Sequence, residues 1–191
     1  MKKTLLKLTF ATALLFSTIS FGQTADELKA EREMMKKELK SEKTIERQKK
    51  LEKLESPKSS SIASIDELAV NSSALLLVTK DISKQVPELY KRTVGETVDG
   101  ITEVTTDKPS LEELETVAKS IGAQLLLISN YANIATQVAG DVTSANPLAA
   151  GKALKSVKFS KDVLSLTLPE LNNNLVVIKN LISTIKSSNN L

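Results

Sequence analysis

Residues 110–140 read SLEELETVAKSIGAQLLLISNYANIATQVAG. Leu111, Leu114, Ala118, Ile121, Leu125, Ile128, Ala132, Ala135 and Ala139 recur at alternating intervals of three and four. That spacing lines one face of an α-helix with apolar side chains. Ser110 and Glu113 have the spacing of a capping box, and Gly140 is placed to end the helix in a left-handed conformation. A helix with so long an apolar face must bury it against other helices, so the stretch predicts a bundle.

Upstream, Ser64 and Glu67 again have capping-box spacing, and Ile65, Leu68, Leu75, Ile82, Val86 and Leu89 recur at heptad-like intervals, with Ser72 and Thr79 interrupting. Pro87 is expected to kink or restart this helix. Helical spacing continues through Tyr90, Val94, Val98, Ile101 and Val104, weakened by Gly95 and Gly100. Asp107–Pro109 reads as a turn. Downstream, Asn146 before Pro147 starts a fourth helix with the stripe Ala150, Leu154, Val157, Leu164 and Leu168, which Lys161 interrupts. Pro169 marks a break, and Leu171, Leu175, Ile178, Ile182 and Ile185 form a fifth stripe. No segment alternates convincingly with period two, and Asp99-Gly100 lacks flanking strands, so sheet is not expected. The expected fold is all-α: an antiparallel helical bundle of about four core helices over residues 59–191, plus a highly charged N-terminal helix.

That charged helix is expected within residues 23–58. Residues 24–58 hold 11 basic and 9 acidic groups. Thr24 and Glu27 form a capping box, and the helix is expected to run to about Glu55. Its sparse apolar residues suit a helix that projects, docks along one thin stripe or pairs with another chain. The gap from Leu39 to Ile45 argues against a continuous coiled coil. Pro57 and Ser59–Ser61 read as a hinge or linker.

Residues 1–22 have the pattern of a cleavable export signal. Lys2, Lys3 and Lys7 precede 14 uncharged residues from Leu8 to Phe21, too few to span a bilayer comfortably. Ser20 and Gly22 place the cut between Gly22 and Gln23. A periplasmic or secreted location follows as the expectation. Removal of the leader leaves 23 of the 26 Lys and Arg residues against 23 Asp and Glu, a net charge of zero. With that balance and few aromatics, nucleic-acid binding is not expected.

The 191 residues contain no His, Cys or Trp. Imidazole-based triads, thiolate or imidazole zinc sites, iron–sulfur clusters and disulfides are therefore excluded. No enzyme activity, cofactor or small-molecule substrate is expected. Glu96, Asp99 and Glu103 would share a helical face but supply too few oxygens for a hard cation. Glu112, Glu113 and Glu115 suit the first turns of a helix, where the dipole favours carboxylates. Ser183 and Lys186 have the spacing of a serine–lysine pair without companion motifs. One charge pattern stands out. Lys152, Lys155, Lys158 and Lys161 follow at intervals of three without an intervening acid, fanning over about half a helix circumference. That patch suits an anionic ligand or peripheral membrane contact.

These features predict an exported bundle that acts by binding, as an envelope structural or adaptor component, contacting a protein partner or itself through residues 24–58. The alternative is a membrane-active or pore-forming bundle, suggested by the uncharged stretch Ser120–Gly140.

Overall fold

A computed structural model describes residues 24–98, 101–103, 107–143 and 146–188. The chain folds into α1 (Ala25–Leu39), α2 (Glu42–Lys53), α3 (Ala63–Val94), a hairpin of β1 (Glu96–Val98) and β2 (Ile101–Glu103), α4 (Leu111–Gln137), α5 (Ala139–Thr143) and α6 (Pro147–Ser188). Residues 1–22, read above as an export signal, lie outside the described residues.

The architecture is the expected all-α bundle, and α3, α4 and α6 form its frame. Ser64 at the start of α3 donates to Asp141 in α5 at 2.6 Å. At the other end of α3, Arg92 grips Glu113 in the first turn of α4 at 2.6 and 3.1 Å. These two helices therefore run antiparallel. Lys186 near the end of α6 meets Glu115 near the start of α4 at 3.4 Å, which makes α4 and α6 antiparallel as well. Consequently α3 and α6 run parallel. Ala69, Ser72 and Thr79 on α3 and Ala153, Ser156, Ser160 and Thr167 on α6 are all buried. Thr79 and Thr167 donate to the carbonyls of Leu75 and Val163 at 2.8 Å, satisfying their hydroxyls within their own helices. Ser72 and Thr79 thus belong to the buried face of α3 as small members rather than interruptions of it.

The charged N-terminal segment docks along one thin stripe. Leu28, Met35 and Leu51 are buried, while most of the charges around them stay in solvent. The single helix expected to Glu55 is instead two. Lys40 closes α1, and the Ser41 hydroxyl accepts from the Thr44 amide at 3.2 Å to open α2. Both helices run antiparallel to α6, with Arg32 donating to Thr184 at 2.8 Å near one end and Arg47 to Glu170 at 2.9 Å near the other.

Other expectations are corrected at helix ends. The helix beginning at Ala63 has Ile62 at its N-cap with no side-chain cap bond, and Ser64 lies inside the helix, where it donates to Asp141. Its C-terminus comes at Val94, where Gly95 takes φ 80°, a left-handed conformation that glycine adopts without Cβ strain. The helical spacing expected beyond it gives way to the antiparallel hairpin, in which Thr97 pairs with Thr102 and Val98 with Ile101. These β-branched residues favour extended backbone. Gly140 does not terminate α4. It lies inside α5, after a C-cap at Val138. Pro169 does not divide the last helix either, since α6 continues through it for 42 residues. The N-terminal reading of α6 holds: Asn146 Oδ1 accepts from the Ala149 amide at 3.0 Å, with Pro147 as the first helical residue.

Candidate binding surfaces

The deepest polar constellation joins α2, α3 and α6. Arg47 donates through Nε to Glu170 Oε2 at 2.9 Å and through Nη2 to Thr44 Oγ1 at 3.1 Å. Gln48 and Ser83 both donate to Glu170 Oε1, at 3.0 and 3.1 Å, and Asn174 donates to Ser83 at 3.1 Å. The Arg47 and Glu170 side chains are 7% and 1% exposed. Both carboxylate oxygens are occupied by protein donors, so the cluster acts as a cross-link between helices. No expectation from the sequence included it. A signal was present, because Val163, Thr167, Glu170 and Asn174 continue the buried arc of α6 at intervals of three and four.

A second polar cluster fixes the segment read as a hinge. Asp66 on α3 accepts from the Ser60 amide and hydroxyl at 2.7 Å and from the Ser61 amide at 3.1 Å, and it also takes the Ser59 hydroxyl. Burial would raise the Asp66 pKa, but these donors outweigh it and hold the carboxyl at about 2. Ser61, at φ 67°, is the non-glycine residue in the left-handed region among the described residues. Its strain is held by the carboxylate that gathers the turn. A cleft of about 280 Å³ opens beside it, lined by residues including Pro57, Lys58, Val70 and Ser156. Arg92 similarly holds Glu113 below the usual carboxylate range.

Between α1 and α6 lies an open groove of about 310 Å³, lined by Glu31, Met34, Met35, Glu38, Leu39, Asn173, Val176 and Val177. Met34 is 65% exposed. Glu31 is held by Asn180 Nδ2 at 2.7 Å, whereas the Glu38 residue is exposed. Lys36, on another side of α1, sits 5.8 Å from the Tyr90 ring centroid and ties the helix to α3.

Lys152, Lys155, Lys158 and Lys161 are all exposed on α6. Lys158 forms an ion pair with Asp162, one turn on. Leu154, expected on the buried stripe, is 60% exposed instead, and Leu148 is 75% exposed. The buried arc of this part of α6 is carried by Ala153, Ser156, Val157, Ser160, Val163 and Leu164. Leu154 and Lys161, seven residues apart, lie on the solvent side together, which removes the apparent interruption.

The acidic face expected at Glu96, Asp99 and Glu103 does not form on a helix. Glu96 and Glu103 stand opposite one another in the hairpin register, and Asp99 lies outside the described residues. Among the described residues no group of three or more carboxylates has an arrangement that holds a metal ion. Lys186, the lysine of the serine–lysine spacing, is engaged with Glu115. The uncharged stretch of α4 contributes Ile121, Leu125, Ile128 and Ala135 to the core. No described helix is long and apolar enough to cross a membrane. Comparison of the chain with family models, curated proteins and solved structures gives no match.

Proposed function

We propose that this protein works by binding rather than by chemistry, as an exported adaptor whose contact element is α1. The observation that carries this reading is the groove between α1 and α6, where Met34 stands in solvent beside Met35, Leu39, Val176 and Val177. A solvent-facing methionine has three flexible torsions and a polarizable sulfur, so it adapts to an incoming apolar side chain with little strain. The carboxylate of Glu38 at the edge favours a partner segment that carries cations around its apolar anchor. A helical protein segment with one large apolar residue flanked by Lys or Arg meets both requirements.

The test places a photo-crosslinking residue at position 34, with the exposed position 116 on α4 as control. Adducts to a protein are expected at 34, and the substitution Met34→Asp should abolish those captured from the neighbouring position 38. If positions 34 and 116 give the same adducts in intact cells, α1 is not the contact element.

A further inference from the structure

The outward face of α6 is treated differently along its length. From Glu170 to Thr184 it is engaged by α2 and α1 through Arg47, Gln48 and Arg32. Toward its N-terminus the helix carries Leu148 and Leu154 in solvent, 75% and 60% exposed, among four exposed lysines. At about 100° per residue, Leu148, Leu154, Lys155, Lys158 and Lys161 fall within an arc of about 140°, and Lys152 adds about 40° more. Between Pro147 and Ser165 the sequence of α6 has a single acidic residue, Asp162, and it is paired with Lys158.

From this arrangement we infer that the N-terminal half of α6 is a docking face for an anionic lipid surface. The helix lies along the headgroups with Leu148 and Leu154 entering the acyl boundary and Lys152, Lys155 and Lys161 meeting lipid phosphates. Lysines alone would serve any polyanion. The two leucines decide for lipid, because a soluble polyanion leaves them in water, whereas a bilayer boundary buries them while the lysine stems reach back to the headgroups. Phe159, the aromatic residue of this half, is buried and offers no platform to nucleic-acid bases. The lysines supply local charge complementarity even though the chain from Gln23 onward is neutral overall.

The experiment uses a chain beginning at Gln23, which retains every described core residue from Leu28 to Leu181 and removes the apolar leader as a source of lipid affinity. Co-sedimentation with vesicles of phosphatidylglycerol and phosphatidylcholine is compared with phosphatidylcholine alone. Binding is expected on the anionic vesicles only, and it should weaken with added salt. Each of Lys152→Gln, Lys155→Gln and Lys161→Gln should lower partitioning about five-fold. Leu148→Ser with Leu154→Ser should weaken binding at constant charge. All five positions are exposed, and unchanged thermal unfolding of the variants verifies the fold. Equal binding to neutral vesicles would overturn the inference. So would binding indifferent to the leucines, or poly-glutamate binding as tight as vesicle binding, since either marks a general polyanion site. Met34→Asp should leave vesicle binding unchanged, which separates this surface from the α1 groove.

Discussion

Glu170 is a carboxylate whose side chain is 1% exposed, placed directly after a proline in the middle of a helix. Its two oxygens accept from Arg47 and from the neutral donors Gln48 and Ser83. Replacing Arg47 by Met leaves the charge buried with neutral partners alone, and loss of one member of a buried pair costs about 3–5 kcal/mol. The double replacement Arg47→Met with Glu170→Leu removes both desolvated charges and should recover most of that loss. Urea denaturation of the two single variants and the double variant measures the coupling directly. In the sequence Arg47 is one of 11 basic residues in the polar segment 24–58 and gives no sign of burial. Leu114, Ile121, Leu125 and Ile128 were legible because apolar side chains with helical spacing have one favourable destination. A buried ion pair is legible only once its two halves, far apart in the chain, are brought together by the fold.

The helices themselves were the most legible part, and their ends the least. The α4 stripe holds through 27 residues, while Gly140, Pro169 and Ser64 each do something other than their local chemistry suggests. An interior proline removes a hydrogen bond and costs about 3 kcal/mol. Around Pro169 the packing of Val163, Leu171, Leu175 and Ile178 and the Glu170 cross-link outweigh that cost. The Pro57–Ser61 stretch has the composition of a linker, yet its serines converge on Asp66. With its pKa lowered from 3.8 to about 2, Asp66 contributes stability that is fully present above pH 4 and lost as pH falls through 2. Asp66→Asn should therefore lower stability at neutral pH, by about 1–2 kcal/mol if it resembles loss of a helix cap. It should also flatten the acid limb between pH 4 and 2. Parallel acid and urea titrations of the two proteins check both effects. Among the candidate sites, the lysine fan could be read from spacing alone. The leucines beside it could not, because Leu154 also fits a buried stripe at intervals of three and four until the register of α6 is known.

Treating residues 23–58 as separable from residues 59–191 follows the break in charge density. The contacts bind the two segments more closely. Met35 and Leu51 join the hydrophobic cluster that also contains Leu114 and Ile178, and Leu28 is buried as well. Burial of a leucine or methionine contributes about 1.5–3 kcal/mol, so a chain starting at Ser59 should lose on the order of 5 kcal/mol or more relative to one starting at Gln23. Equilibrium urea denaturation of the two chains gives that difference. Equal stability would mean that α1 and α2 are passengers on an independent bundle.

The helix that touches every other described helix also follows all of them in the chain: α1, α2, α3, α4 and α5 all pack on α6. The earlier helices therefore have no way to close the interior before the 42 residues of α6 have emerged from the ribosome. Until then their oily surfaces remain open to chaperones. The time at which this bundle becomes compact is therefore set by the emergence of α6.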